Sequence, residues 1–345
     1  MSPLCPRLLA CLLLPALLVA CAAPARQSPA PAQPASSAAQ APAAAPAAPP
    51  QKVTMMIAST SGVFLPHKLA EAKGFFLANG LDGQVIQTAS NVQAAAVATG
   101  DAEFSGQFAA AIRQRIGGLS IIPVAAVVAR STRWLIALPQ YASVQDLRGK
   151  VVLGSSPAGS DTVVLRRVLT FHGLDPDRDV TIMHAGDVPA RWAVIQSGNA
   201  DAVMFSGGEV LRAQEGGMKP LASAAEVIQM PENGIAVSDR MLAENPDLIK
   251  RAIRALMDAV AFQLSEPAEA ARVLAQWTDA EESLARAEVD LLAPALARDL
   301  MPSEAGLRDV IEAEKASAGV DREIAPSEMA SFALLQEVQR ERGTR

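Results

Sequence analysis

VTMMIASTSGVFLPHKLAEAKGFF, residues 53–76, decides the fold. It joins an apolar run to a short loop of hydroxyl residues and glycine, and then to an amphipathic segment that Pro66 opens. This order predicts a strand, a turn and a helix over residues 65–76, because proline is favoured in the first turn of a helix. The first N–H groups of such a helix have no partner inside it and lie at the positive end of its dipole. The stretch therefore predicts a cradle for a small ligand.

The same unit returns as VVLGSSPAGSDTVVLRRVLTFHG, residues 151–173. It has a strand, a Ser/Pro/Gly loop and an amphipathic helix in the same order. Gly100 follows Val53 by 47 positions (53 to 100), and Gly198 follows Val151 by 47 positions (151 to 198). The chain therefore contains two copies of one α/β unit.

The alternation of strands and helices predicts parallel or mixed sheets that are covered on both faces, an α/β fold. Two similar units joined by two passages predict two doubly wound lobes with a hinge and a central cleft. We expect residues 52–135 and 236–345 to form lobe one, and residues 136–235 to form lobe two. Regular apolar spacing after residue 245 predicts helices, which we expect to pack on lobe one because the chain has returned there.

The N-terminal segment has the features of a secretory signal peptide over residues 1–20, with Arg7 ahead of a short apolar run. The run ends in Leu-Val-Ala-Cys, which resembles a bacterial lipobox and predicts lipidation of Cys21; ordinary cleavage near this residue is the alternative. Residues 21–51 are almost wholly Ala, Pro, Ser and Gln, and predict an extended tether. We therefore expect a membrane-anchored lipoprotein in the periplasm or on the extracytoplasmic face.

Composition excludes several classes of protein. The three cysteines all lie within residues 1–21, so the folded body can have no disulfide, thiolate metal site or cysteine nucleophile. The three histidines, His67, His172 and His184, lack metal-ligand spacing, and we expect neither a metal nor a cofactor. The formal net charge is −6 at pH 7 and no block of Lys and Arg occurs, which argues against a nucleic-acid partner.

Candidate ligand-binding residues follow the predicted strands of the first unit. Ligands of open α/β sheets bind outside the carboxyl ends of the strands. Five residues would lie on this rim: Ser59, Thr60, Ser61, Ser105 and Gly106. The structural alternative is that they are turn and N-cap residues. Repetition of the pattern in the second unit favours the ligand-binding role.

Other polar and aromatic residues have both a functional and a structural interpretation. Arg130, Arg133 and Trp134 could clamp a ligand beside the first passage, or could pack at the rim. Asp161 is expected in the first turn of a helix. Equivalent positions in the two copies predict a shared structural role for Glu103 and Asp201. Six aromatic residues could supply a platform for a flat ligand: Phe64, Phe104, Phe108, Trp134, Tyr141 and Phe205.

Short motifs in a consistent order resemble those of a family of binding proteins. In the first unit these are Leu65-Pro66, Ala70, Ala72-Lys73-Gly74-Phe75-Phe76, Gly80-Leu81 and Thr99-Gly100-Asp101-Ala102. In the second they are Asp146-Leu147-Arg148-Gly149-Lys150-Val151, Gly173-Leu174-Asp175-Pro176, Gly198, Asp201-Ala202 and Asn245-Pro246. From residue 53 onward the chain resembles type II periplasmic substrate-binding proteins of ABC importers, of the nitrate/sulfonate/taurine and thiamine-precursor group.

The resemblance implies a lipid-anchored solute-binding protein that closes on a small ligand and presents it to an ABC permease. It implies ligand contacts at Ser59, Thr60, Ser61, Ser105, Pro157, Gly159, Ser160, Met204 and Phe205. Hydroxyls and helix N-termini facing one cleft suit an anionic or polar organic ligand, such as a sulfonate, nitrate or a taurine-like molecule. A monomer is the expected state.

Two other functional classes remain open at this point. A ligand-sensing domain of a membrane receptor would use the same cleft. An enzyme is the second alternative, because the fungal enzymes that make the thiamine pyrimidine resemble this family. Those enzymes carry a cysteine-rich motif and a lysine-bound pyridoxal cofactor, whereas the mature chain has no cysteine beyond Cys21. No nucleophile elbow or phosphate loop occurs either, so we expect no enzymatic activity.

Overall fold

The computed structural model describes residues 49–155, 157 and 160–343, without the side chains of residues 90, 160 and 317. The predicted signal peptide, Cys21, the tether up to residue 48 and Gly159 lie outside the described residues. Among the residues that are described, no helix has the length and apolar character needed to span a membrane.

The first strands and helices follow the order that the sequence predicts. They are β1 (Gln51–Ile57), α1 (Leu65–Ala72), α2 (Phe75–Ala78), β2 (Leu81–Gln87), α3 (Ser90–Thr99), β3 (Phe104–Gln107), α4 (Ala109–Ile116) and β4 (Ile122–Val128). A 3-10 turn, Gly62–Phe64, leads into α1. The single helix predicted over residues 65–76 is instead two helices, because Gly74 adopts a left-handed conformation with a φ of 73° and ends the first one.

The second unit repeats this order. Its elements are β5 (Arg133–Ala137), β6 (Val151–Gly154), α5 (Ser160–Phe171), β7 (Thr181–His184), α6 (Val188–Gln196), β8 (Ala202–Ser206), α7 (Gly208–Glu215) and β9 (Lys219–Ser223). The chain then forms β10 (Asn233–Val237), α8 (Asp239–Glu244), α9 (Pro246–Ser265), α10 (Pro267–Thr278), α11 (Glu282–Leu292), α12 (Glu304–Ala318), α13 (Pro326–Met329) and α14 (Ala333–Glu341).

The strands form two five-stranded mixed sheets. The first has the order β2-β1-β3-β10-β4, and the second has the order β7-β6-β8-β5-β9. Each contains one antiparallel strand, β10 or β5, that enters directly from the other sheet. The α/β prediction with two doubly wound lobes is therefore confirmed, and each sheet with its helices is called a lobe below.

The chain passes between the sheets at residues 129–132 and 224–232, which are called the hinge passages below. Because β5 belongs to the second sheet and β10 to the first, we propose to divide the lobes within these passages. This division moves residues 133–135 to the second lobe and residues 233–235 to the first.

The two copies share a structural device at the opposite end of their sheets from the loops. The Glu103 carboxylate accepts a hydrogen bond from the Thr54 N–H in β1, and the Asp201 carboxylate accepts one from the Val151 N–H in β6. The shared structural role predicted for these two acids is confirmed. Gly100 and Gly198 also have positive φ, of 89° and 74°, where the helices before them end.

Each lobe has its own hydrophobic core. The first-lobe core combines β1, β4 and β10 with α1, α9, α10 and α14, so the prediction that C-terminal helices pack on this lobe is confirmed. Ser303 caps α12 by accepting a hydrogen bond from the Gly306 N–H, as its position before the apolar pattern suggests. The second-lobe cores form separately on the two faces of the second sheet.

His67 is a buried connection between α1 and β10. Its side chain has no exposed surface, and its Nε2 atom lies 2.8 Å from the carbonyl oxygen of Gly234. Burial lowers the pKa of His67 from 6.5 to about 4, although hydrogen bonds to backbone oppose the shift. The imidazole is therefore neutral in the folded protein at neutral pH.

We predict that His67 makes the fold sensitive to acid. Between pH 6.5 and about 4 the unfolded chain binds a proton at this residue and the folded chain does not. The free energy of unfolding should therefore fall by roughly 1.4 kcal/mol for each pH unit below 6.5 from this group alone. Urea unfolding of the wild type and His67→Gln between pH 4.5 and 7.5 checks this. Equal pH slopes for the two proteins would contradict it.

Candidate functional site

The hinge passages lie side by side at the carboxyl ends of the parallel strands. The Ser131 N–H donates to the Ile228 carbonyl at 2.9 Å, and the Glu232 N–H donates to the Val128 carbonyl at 2.8 Å. The Glu232 carbonyl accepts hydrogen bonds from the N–H groups of Phe108 and Ala109, where β3 passes into α4. The passages thus border the rim on which ligands of such sheets bind.

The hydroxyl groups of the loop after β1 already have hydrogen-bond partners within the protein. The Ser59 and Ser61 hydroxyls lie 2.8 Å apart, and the Thr60 hydroxyl donates to the Gln87 side chain at 2.8 Å. All three residues are half-buried. The structure brings these predicted ligand-binding residues together beside the turn that leads into α1.

Ser105 and Gly106 lie deeper, within β3. The Ser105 side chain is 2% exposed, donates to Gln93 Oε1 at 3.0 Å and accepts from the Gln107 N–H at 3.3 Å. Gly106 is buried, and a Cβ atom there would lie 3.3 Å from His67 Nε2. Both residues are therefore part of the packed strand, and the Ser105 hydroxyl forms its hydrogen bonds within the protein.

The predicted second-lobe residues are divided between the rim and the core. Pro157 is exposed in the turn after β6, and α5 begins at Ser160. Met204 and Phe205 are buried in β8, with 0% and 2% exposure. The Phe205 ring stacks on Trp192 with a centroid distance of 4.8 Å. These two side chains contribute to the packing of the second lobe.

Most of the six aromatic side chains also belong to the cores. Phe64, Phe104 and Phe108 are buried in the first lobe, together with the second-lobe residue Phe205 already described. Tyr141 is buried in the second lobe and donates to Asp201. Trp134 is half-buried at the start of β5 and packs against the second-lobe core. Of the six aromatic side chains, Trp134 is therefore the one that remains partly exposed.

Arg133 connects the second lobe to the hinge. Its Nε atom donates to Asp161 Oδ1 at 2.7 Å, and its Nη1 atom lies 3.5 Å from Glu232 Oε1. Asp161 also binds the buried Arg191, whose Nη1 atom lies 2.9 Å from Asp161 Oδ2 and donates to the Met204 carbonyl at 2.7 Å. The Thr132 hydroxyl donates to Glu232 Oε2 at 3.4 Å. Asp161 is therefore more than a first-turn helix residue, because it joins two guanidinium groups.

The charges of this cluster, formed by Arg133, Asp161, Arg191 and Glu232, balance. Two guanidinium groups face two carboxylates, so the cluster offers no surplus positive charge. Burial raises the pKa of the Glu232 carboxyl group above its ordinary value, and Arg133 and Thr132 oppose this shift only in part. While both carboxyl groups are ionised, the cluster therefore carries no net charge.

Buried polar atoms without a protein partner occur on both rims. Among the described residues, Gln107 Nε2 at the end of β3 has none, and neither do Ser155 Oγ after β6 or Thr162 Oγ1 in the first turn of α5. Buried polar groups are nearly always hydrogen-bonded, so each of these atoms needs an explanation.

Arg130 does not belong to the charged cluster around Arg133. It is exposed in the first hinge passage and borders a cavity of about 580 Å³ together with residues of the 293–303 segment. Of the three residues considered as a clamp, Arg133 and Trp134 lie at the start of β5 and Arg130 faces elsewhere.

Sequence reasoning missed Gln107 and Glu232 as site residues. A signal for Glu232 was present, because an antiparallel strand begins where its parallel neighbours end. The residue before β10 therefore lies at the carboxyl end of β3. This inference needed the strand order, which the sequence does not give.

The two sheets and the adjacent hinge passages give this chain the two-lobe fold of type II periplasmic binding proteins. The family model described as NMT1/THI5 like matches residues 62–270, and the chain belongs to this family. The resemblance seen in the sequence is thereby confirmed.

Three known proteins illustrate the similarity. The riboflavin-binding protein RibY of Chloroflexus aurantiacus is 31% identical over 269 residues, which cover 74% of this chain and 73% of RibY. The periplasmic aliphatic sulphonate binding protein SsuA of Escherichia coli has a TM-score of 0.60 at 15% identity, covering 81% of this chain and 92% of SsuA. The desulfurization enzyme DSZB has a TM-score of 0.55 at 15% identity, covering 85% and 99%. The last two share the fold alone.

Proposed function

We propose that this protein is an extracytoplasmic solute-binding protein that captures a small molecule between its two lobes and presents it to an ABC permease. The observation that carries the proposal is the two-lobe fold of a chain of the NMT1/THI5 like family, with its two hinge passages side by side at the carboxyl ends of the parallel strands. A ligand that satisfies atoms on both lobes favours the closed arrangement, because differential contact shifts an equilibrium between open and closed states.

We propose that the ligand is an uncharged, hydrogen-bonding heteroaromatic molecule, with riboflavin as the first compound to test. The balanced charges of Arg133, Asp161, Arg191 and Glu232 favour a neutral ligand over an ion. Half-buried Trp134 supplies an aromatic surface beside this cluster. RibY, which is similar over most of this chain, is a riboflavin-binding protein.

A sulfonate or taurine-like anion is the second candidate, and the two arginines near the rim favour it. Guanidinium groups bind such oxyanions in pairs of hydrogen bonds. The Asp161 carboxylate, however, already forms ion pairs with the guanidinium groups of both Arg133 and Arg191. An anion would have to displace Asp161 or bind elsewhere, which makes this candidate the weaker one.

Enzymatic activity has less support than binding, although DSZB shares the fold. The chain has no cysteine after residue 21, so a cysteine nucleophile is excluded from its folded body. We therefore propose that the rim is a ligand-binding site and not a catalytic one.

Anchoring through Cys21 is part of the proposed function. The Leu-Val-Ala-Cys sequence and the tether that follows support it. We predict that labelled palmitate is incorporated into the wild type in bacteria and not into Cys21→Ala, because a thioether to this cysteine would carry the lipid. Equal labelling of both proteins, or labelling of neither, would contradict the anchor.

We predict that riboflavin binds the protein with a one-to-one stoichiometry in isothermal titration calorimetry. Gln107→Leu should weaken binding about five- to tenfold, because it removes one hydrogen bond worth about 1 kcal/mol. Gln214→Leu, at an exposed position on α7, is the matched control and should bind as the wild type does. Binding of butane-1-sulfonate in place of riboflavin would favour the second candidate.

A further inference from the structure

The cradle predicted in the first lobe already holds a carboxylate. The Gly62 N–H, at the start of the 3-10 turn that leads into α1, donates to Glu288 Oε1 at 2.9 Å. These residues are 226 positions apart in the sequence. The N–H group that a ligand's anion would use is therefore occupied by the protein's own acid.

Gly62 is needed for this close approach. A Cβ atom at this position would lie 2.6 Å from Glu288 Oε1 and 2.7 Å from Leu292 Cδ1. A larger residue would therefore displace the side chains of Glu288 and Leu292 and disturb the hydrogen bond from the Gly62 N–H. The absence of a side chain at Gly62 thus allows the Glu288 carboxylate to reach the Gly62 N–H.

Helix α11 carries Glu288 to a position beside both lobes. Leu292 contacts the first lobe at Gly62, and Leu291 packs against the second-lobe core that contains Trp134 and Phe205. Glu288 thus lies on a helix that contacts both sides of the cleft, next to the Ser59 and Ser61 loop.

The Glu288 carboxylate has little compensation for its burial. Within the described part of the chain it has no ion-pair partner, and the Gly62 N–H is its hydrogen-bond donor. Burial raises the pKa of Glu288 above its ordinary value, and the Gly62 N–H opposes this. While it is ionised, this carboxylate repels a second anion placed at the same turn.

We propose that Glu288 is a specificity-determining residue, whose carboxylate fills the first-lobe cradle and excludes ligands that carry an anionic group at this end. The inference rests on the proposed function and deepens it, since it names uncharged molecules as the ligand class of the same site. A like charge placed against a competing ligand is an effective means of discrimination.

The test compares butane-1-sulfonate and riboflavin as probes of the full chain by isothermal titration calorimetry at low ionic strength. In Glu288→Gln, which retains the shape of the side chain, the ratio of the butane-1-sulfonate to the riboflavin dissociation constant should fall at least tenfold. Asp290→Asn is the matched control, because Asp290 is exposed on the same helix and pairs with Arg286. This control should leave the ratio unchanged.

The outcomes separate the two proposals. Tighter butane-1-sulfonate binding by Glu288→Gln, but not by Asp290→Asn, supports the role of Glu288. This holds even if riboflavin does not bind and the proposed ligand is wrong. In that event the dissociation constant of butane-1-sulfonate itself, compared with that of the wild type, is the readout. An unchanged sulfonate affinity in Glu288→Gln would overturn the inference. An equal gain in Asp290→Asn would also overturn it, because overall charge would then explain the effect. Melting temperatures of the three proteins verify that each is folded.

Discussion

The hydrogen bonds of Glu232 hold the two hinge passages together, and the rest of the site depends on them. Its N–H binds the end of β4, and its carbonyl binds the start of α4. Its side chain reaches Thr132 and Arg133, where the chain enters the second lobe. One residue thus connects the end of the first sheet, the return passage and the first strand of the second sheet. Any movement of one lobe against the other must act on these contacts.

This arrangement places two half-buried acids, Glu232 and Glu288, at the hinge and at the first-lobe cradle, and removing a charge from water costs free energy. Glu232 and Glu288 are both acids whose pKa burial raises, so their ionised forms are disfavoured in the folded protein relative to water. Groups kept under such conditions are common at functional sites, although structural networks also produce them. Their positions, at the hinge and at the first-lobe cradle, place both acids beside the proposed ligand site.

The architecture could be predicted from the sequence because its signals are local. The strand, loop and helix order and the repeat of 47 positions both follow from residues near each other in the chain. The pairing of Glu103 with Asp201 as equivalent acids followed from the repeat. The Gly62 contact with Glu288 joins residues 226 positions apart, and no local pattern indicates it. The burial of Met204 and Phe205 likewise depends on which strands flank β8.

The most direct test of the account is the distance between the lobes with and without ligand. Spin labels at Asp101→Cys in the first lobe and Glu215→Cys in the second, both exposed positions, can be introduced into a chain in which Cys5, Cys11 and Cys21 are all replaced by alanine. Double electron–electron resonance should show that saturating riboflavin shifts the distance distribution and narrows it to one population. The same distribution with riboflavin bound and absent would contradict capture by closure of the two lobes.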